Sequence, residues 1–291
     1  MSTVLQLTVA GLALGCIYAL VASGFTVIYR ATGVANFAQG SLVTFGAYVG
    51  FAMLVSWHWP HLLAVVGVIV AGGLAGLFLY FTAFRPFIGA DQLTILVGTF
   101  AVAWIITGLV GVIAGPKELA VPSLVGEGAV HVAGIDISNQ DILVVGVTAV
   151  IVAAQYLVFQ RTTLGAQFRA LASDPEAAEL VGIRRKRVSA IIFAIGAATA
   201  AIAGLLLAPL LGVRLALGFQ ILLIALVASV IGGFSSQTGA LLGGLVLGIV
   251  ETVGAYYLPS GWAPALPTVV MLLVLVTRPE GLVPNRVGVR A

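Results

Sequence analysis

Residues 188–213 read VSAIIFAIGAATAAIAGLLLAPLLGV, set between Arg184-Arg185-Lys186-Arg187 on one side and Arg214 on the other. No charge interrupts the stretch, and it exceeds the roughly 20 apolar residues that a helix needs to cross a bilayer. The same pattern repeats outward from it. Residues 1–29 are uncharged, and after Arg30 no charge occurs until Arg85. Further charge-free stretches cover 92–116, 142–160, 215–250 and 252–277. The 31–84 stretch holds two spans, with Trp57, His58, Trp59, Pro60 and His61 as an interfacial turn between them. The 215–250 stretch is too long for one span and is broken at Gly232-Gly233-Phe234-Ser235-Ser236-Gln237-Thr238-Gly239. Two short spans, or one span with a re-entrant segment, both fit. The expectation is an all-α, polytopic membrane bundle of eight or nine crossings. They lie near 4–28, 37–57, 62–84, 93–115, 141–160, 188–212, 219–232, 239–255 and 262–277.

Composition agrees with lipid as the solvent. Of 291 residues, 61% are hydrophobic and 8% charged, against about 25% charged in a soluble domain. The 36 glycines weaken soluble helices but let membrane helices approach closely. Gly-x-x-x-Gly pairs at Gly11/Gly15, Gly46/Gly50, Gly72/Gly76, Gly111/Gly115, Gly239/Gly243 and Gly244/Gly248 mark candidate crossings. Cys16 is the only cysteine, so an internal disulfide and a cysteine metal cluster are both excluded.

Basic residues set the orientation. Segment 161–187 holds Arg161, Arg169, Arg184, Arg185, Lys186 and Arg187, and the tail holds Arg278, Arg286 and Arg290. Both are expected in the cytoplasm. Segment 116–140, with one Lys, two Glu and one Asp, reads as the largest external loop. Nine crossings with an external N-terminus place Arg30 and Arg85 inside as well, and leave Arg214 outside. Eight crossings lose that agreement.

No phosphate-cradling Gly-x-x-x-x-Gly-Lys-Ser/Thr loop, Gly-x-Ser-x-Gly elbow or His-Glu-x-x-His pair occurs. Nucleotide hydrolysis in this chain is thereby excluded. Segment 161–187 nevertheless looks folded. Ser173 capping with Glu176, or Asp174 capping with Pro175 as the first helical residue, both start a helix there. Gly182 can close it. About two turns remain, with Ala177, Leu180 and Val181 on one face and Glu179 on another. So short a helix is unstable alone in water, so it docks, either on its own membrane domain or in a groove of a partner.

Inside the bilayer, the polar run Asn36-Phe37-Ala38-Gln39-Gly40-Ser41 opens an apolar stretch. Irregular backbone at that depth must be buried in protein or line a cavity. Gln39-Gly40-Ser41-Leu42-Val43 is similar to Thr238-Gly239-Ala240-Leu241-Leu242 at the other break. An inverted repeat with broken helices, or two tight corners, would give that pattern. Glu251 is the only acidic residue between Glu179 and Glu280, and is either a structural hydrogen-bonding group or part of a pathway. Candidate pathway residues are Tyr18, Asn36, Gln39, Ser41, Thr44, Ser235, Ser236 and Glu251.

Several ordered blocks resemble the permease subunits of branched-chain (hydrophobic) amino acid ABC importers. These are Gly15 to Gly24, Ile28 to Gly40 with Gly46-Ala47-Tyr48, Arg161 to Gly165 with Arg169-Ala170, and Asp174 to Ile183. Ile231 to Ser236, Gly239 to Gly244, and Arg278-Pro279-Glu280-Gly281-Leu282 extend the match over nearly the whole chain. The third block departs from the usual Gly-Gly-x-Gly-Ser at Phe234-Ser235. The resemblance implies one permease domain over 1–291, in a prokaryotic inner membrane. Its coupling segment at 161–187 would use Arg169, Asp174, Glu176, Ala177, Glu179, Leu180, Val181 and Gly182. It implies a second permease, related or identical, two cytoplasmic ATPases and an extracytoplasmic solute-binding protein, with no nucleic acid involved. ATP and magnesium would bind the ATPases, leaving this chain without a cofactor. Such permeases also carry urea, short amides or other small organic solutes. A secondary transporter would need more buried ion-coupling carboxylates than Glu251 alone.

Overall fold

The computed structural model describes residues 2–87, 90–126, 128–132, 135–259, 262 and 265–283. Arg286 and Arg290, expected in the basic tail, lie outside these residues. Helices α1 (Ser2–Thr32), α2 (Ala38–Phe51), α3 (His61–Leu79), α4 (Gln92–Ala114) and α5 (Asn139–Arg161) precede two short helices, α6 (Thr163–Ser173) and α7 (Pro175–Leu180). Then come α8 (Arg185–Leu211), α9 (Leu217–Gly232), α10 (Gln237–Tyr257) and α11 (Leu266–Thr277). Seven of these helices, some extended by adjoining π turns, are long and apolar enough to span a bilayer. Two shorter apolar helices, α9 and α11, complete nine. Each overlaps one of the nine expected stretches, and the break at 232–239 separates the helices α9 and α10.

One departure from an all-helical reading sits in the 116–140 loop. Strands β1 (Ala129–Val132) and β2 (Ile135–Ser138) pair antiparallel there, His131 opposite Asp136. Leu119 also forms an isolated bridge with Val213, which fastens this loop to the end of α8.

Close approach organises the bundle. α1 and α10 cross with Gly11 against Ile249, Gly15 against Leu245, and Gly248 against the backbone of Gly15. A methyl group at Gly248 would overlap that backbone. α2 lies on α8 in the same way, Gly46 at Ala201 and Gly204 at Val43, and α3 sets Gly72 and Gly76 against α8. Glycine permits these contacts, and in lipid such packing rather than hydrophobicity holds helices together. The pair Gly111/Gly115 is the exception. Gly115 ends α4 with φ 78° and has no neighbour for an added methyl, so it is a helix terminator.

These contacts fix helix direction. α1 runs against α10, and α3 runs against α8, while α2 runs with α8. Arg30 lies over the Phe168 ring of α6 at 5.3 Å. At α9's far end, Ile231 and Gly232 accept hydrogen bonds from Leu282 and Val283. One end of the bundle therefore gathers Arg30, Arg161, Arg169, the Arg184–Arg187 run and Arg278. The other holds the hairpin and Arg214, whose guanidinium meets Glu118 at 3.6 Å.

Candidate functional site

At the basic end, α6 and α7 stand off the bundle. Thr162 caps α6 by accepting from the Gly165 N–H at 3.2 Å. Phe168 packs on Phe159 with ring centroids 5.1 Å apart. Arg169 donates to the Phe159 carbonyl, where α5 ends with unpaired acceptors. That residue therefore ties α6 to α5.

Of the two start signals for the next helix, Asp174 takes the role. Its Oδ1 accepts from the N–H groups of Glu176 and Ala177, each at 3.0 Å, and Pro175 follows as first helical residue. Gly182, at φ 86°, closes the helix. Its N–H donates to Glu179 and that of Ile183 donates to Ala178, the paired bonds of a Schellman motif. Ala178 is buried and Ile183 packs against the core. The opposite face carries Ala177, Leu180 and Val181, with Glu176 and Glu179 also exposed. Leu180 is 89% and Val181 77% exposed, at the basic end of the bundle. Beside this helix a cleft of about 340 Å³ is lined by Gln167, Gly182, Arg184 and Arg187, among others.

Within the bundle, the predicted pathway residues divide into three places. Asn36, Gln39, Ser41 and Thr44 line the start of α2 and are all buried. Asn36 Oδ1 accepts from the Ala38 N–H at 3.1 Å and so starts the helix. Ser41 donates to the Ala38 carbonyl. Gln39 Nε2 donates to the Gly196 carbonyl of α8 at 2.9 Å. Thr44 accepts from the Gly218 N–H at 3.0 Å and donates to the Leu215 carbonyl, which pairs one of the open donors at the start of α9. Asn36 Nδ2 and Gln39 Oε1 are buried without a hydrogen-bond partner. Unpaired amide atoms are costly in such surroundings.

Ser235 and Ser236 form the α9–α10 corner at the basic end. Ser236 accepts from the Gly239 N–H at 3.1 Å and caps α10. The corner at 33–37 is its counterpart, and each begins with a glycine at positive φ, Gly33 at 75° and Gly233 at 102°. Tyr18 and Glu251 form the third place. Tyr18 and Glu251 come near one another across the α1–α10 contact, and Glu251 Oε2 is buried without a partner.

The sequence reading missed a polar cluster that joins three helices. Ser23 of α1 donates to Gln155 Oε1 of α5 at 2.7 Å, and Gln237 of α10 donates to the same oxygen at 2.8 Å. Gln155 was the visible signal, an amide inside the charge-free 142–160 stretch. A missed groove of about 430 Å³ opens between α9, α10 and α11, lined by Gln220, Leu223, Ile224, Val227, Glu251 and Thr268, among others. No cluster of metal-binding side chains occurs among the described residues.

Comparison with known proteins adds a family. Residues 7–276 match the family described as the branched-chain amino acid transport system permease component. The high-affinity branched-chain amino acid transport system permease protein LivH of Escherichia coli is 33% identical over 96% of this chain and 94% of its own length. The corresponding protein BraD of Pseudomonas aeruginosa is also 33% identical, over 96% and 95%. The probable branched-chain amino acid transport permease LivH of Methanocaldococcus jannaschii is 29% identical, over 90% and 87%.

Proposed function

The chain belongs to the branched-chain amino acid transport permease family, and on that premise we propose how it works. It is the multi-pass permease subunit of an ATP-binding cassette importer for branched-chain or other hydrophobic amino acids. It lies in a prokaryotic inner membrane with its basic end in the cytoplasm. A second permease, related or identical, stands beside it, and an extracytoplasmic binding protein delivers the solute. Two cytoplasmic ATPases bind ATP and magnesium.

One observation carries the coupling role: Leu180 and Val181 lie exposed on a capped helix at the basic end. The rest of the chain does not cover that face. An apolar helix face seated in a partner's groove is a recurring mode of recognition, and each such side chain contributes about 1.5–3 kcal/mol when buried. Arg184 and Arg187, on the adjacent cleft, supply positive charge beside it.

For the route itself, the unpaired amide atoms of Asn36 and Gln39 are the supporting feature. They are groups that a passing solute or water would satisfy in another conformation of the transporter. The test of the coupling role compares Leu180→Asp with the parent at equal membrane levels. Loss of ATPase co-purification and of ATP-driven leucine uptake, with the permease itself still folded, is expected. Normal assembly and uptake would refute the docking of α7.

A further inference from the structure

Two residues break the charge pattern of this chain. Arg214 sits at the end of the bundle opposite the basic cluster, and Glu251 lies within an apolar helix. Glu251 belongs to the groove between α9, α10 and α11, and Arg214 reaches it through Gln220. Glu251 and Gln220 line it directly. Arg214 stands behind Gln220, donating from Nη2 to Gln220 Oε1 at 2.9 Å. With that oxygen occupied, the amide N–H groups of Gln220 are the end left to donate into the groove. In the same lining stands Glu251, whose Oε2 is buried and unpartnered. Leu223, Ile224 and Val227 of α9 supply an apolar wall, and the Thr268 hydroxyl of α11 faces the same space. Its volume of about 430 Å³ falls among small-ligand clefts, about 300–1,000 Å³.

We propose that this groove is an entry site for the zwitterion of an amino acid with an apolar side chain. The Glu251 carboxylate takes the α-ammonium. Gln220 and Thr268 donate to the α-carboxylate, and Arg214, itself paired with Glu118, fixes the Gln220 amide. The α9 wall takes the side chain. Both charges of such a solute sit on one carbon, so its recognition needs opposite signs at neighbouring points of one cleft, beside an apolar surface. A carboxylate buried with one oxygen unpaired is costly in this setting, and an ammonium donor offsets that cost. The proposal rests on the amino acid importer reading and assigns it a place on this chain. A lipid chain would use the apolar wall but leave Glu251 unanswered.

The test uses the permease–ATPase complex in nanodiscs, without the binding protein, carrying Cys16→Ala and Leu223→Cys. L-Leucine is expected to slow alkylation of the new thiol threefold or more. 4-Methylpentanoate, which has the same side chain without the ammonium, is expected to leave the rate unchanged. Adding Glu251→Gln should abolish the protection by leucine, and Glu251→Asp should restore part of it. Equal protection by both compounds, or full protection with Glu251→Gln, would overturn the proposal. So would no protection by leucine at saturating concentration, with the importer reading left standing if the unsubstituted complex, placed in proteoliposomes with its binding protein, still imports leucine. If that complex imports none, both readings fall together.

Discussion

α8 and α4 have nearly the same mean hydropathy over their most apolar windows, 2.4 and 2.3, yet 78% of the α8 window is buried within the chain and 11% of the α4 window. The difference is side-chain size. α8 buries Gly196, Ala197, Ala200, Ala201, Ala203 and Gly204, so α1, α2 and α3 come to its backbone. α4 presents Trp104, Ile105, Leu109, Val112 and Ile113 outward. Lipid tails are as apolar as leucine, so a large apolar side chain gains little by leaving them for the protein interior. What selects the centre of this bundle is therefore closeness of packing. α7 shows the converse at the basic end: Leu180 and Val181 stay exposed, and we propose that a partner covers them.

The sharpest way to break this comparison is to put the same side chain on both helices. Gly204→Leu in α8 would drive a side chain into the backbone of Val43 and Ala47. The cost should exceed the roughly 1–3 kcal/mol usual for overpacking, and folded protein should disappear from detergent size-exclusion profiles. Gly108→Leu in α4 has open space around it and should leave the profile unchanged. Similar behaviour of the two would refute a packing-selected centre.

Gln155→Leu probes whether polar contacts add to that centre. It leaves Ser23 and Gln237 without their shared acceptor. A loss of about 1 kcal/mol is expected, within the 0.6–1.7 range of intramembrane hydrogen bonds, read from the midpoint of unfolding in mixed detergent. Asp174→Ala, by removing the α7 cap, should cost a similar amount, about 1 kcal/mol. Its effect should stay local. ATPase co-purification should weaken while the unfolding midpoint of the membrane helices holds. Smallest of all, Ile113→Ala on the outward face of α4 should change that midpoint by less than about 0.5 kcal/mol. A larger shift would mean that the exposed face of α4 is packed against something other than lipid.

Much of the fold was legible because charge spacing is a one-dimensional signal. Gaps between Arg30, Arg85, Arg161, Arg187 and Arg214 bound helices directly, since a charge within the hydrocarbon is costly wherever the helix sits. The α7 start signal was equally local, needing only Asp174, Pro175 and the two N–H groups that follow. The site was less legible. Ser236, expected in a pathway, also caps α10, and Arg169, expected on a coupling surface, also donates to the end of α5. A hydroxyl or guanidinium that satisfies backbone looks identical in sequence to one that meets a ligand.

The sequence by itself determined that the chain is a membrane bundle, where its nine apolar helices lie, which end is basic, and that a short capped helix stands at that end. It did so because burying charge and leaving helix ends unpaired are penalties paid locally, residue by residue. Only the tertiary structure decided that α8 rather than α4 lies at the centre. It alone also joined Ser23, Gln155 and Gln237, and brought Gln220, held by Arg214, to one groove with Glu251. Those arrangements depend on which helix faces meet, and helix faces of equal hydropathy are told apart by the shapes they pack against.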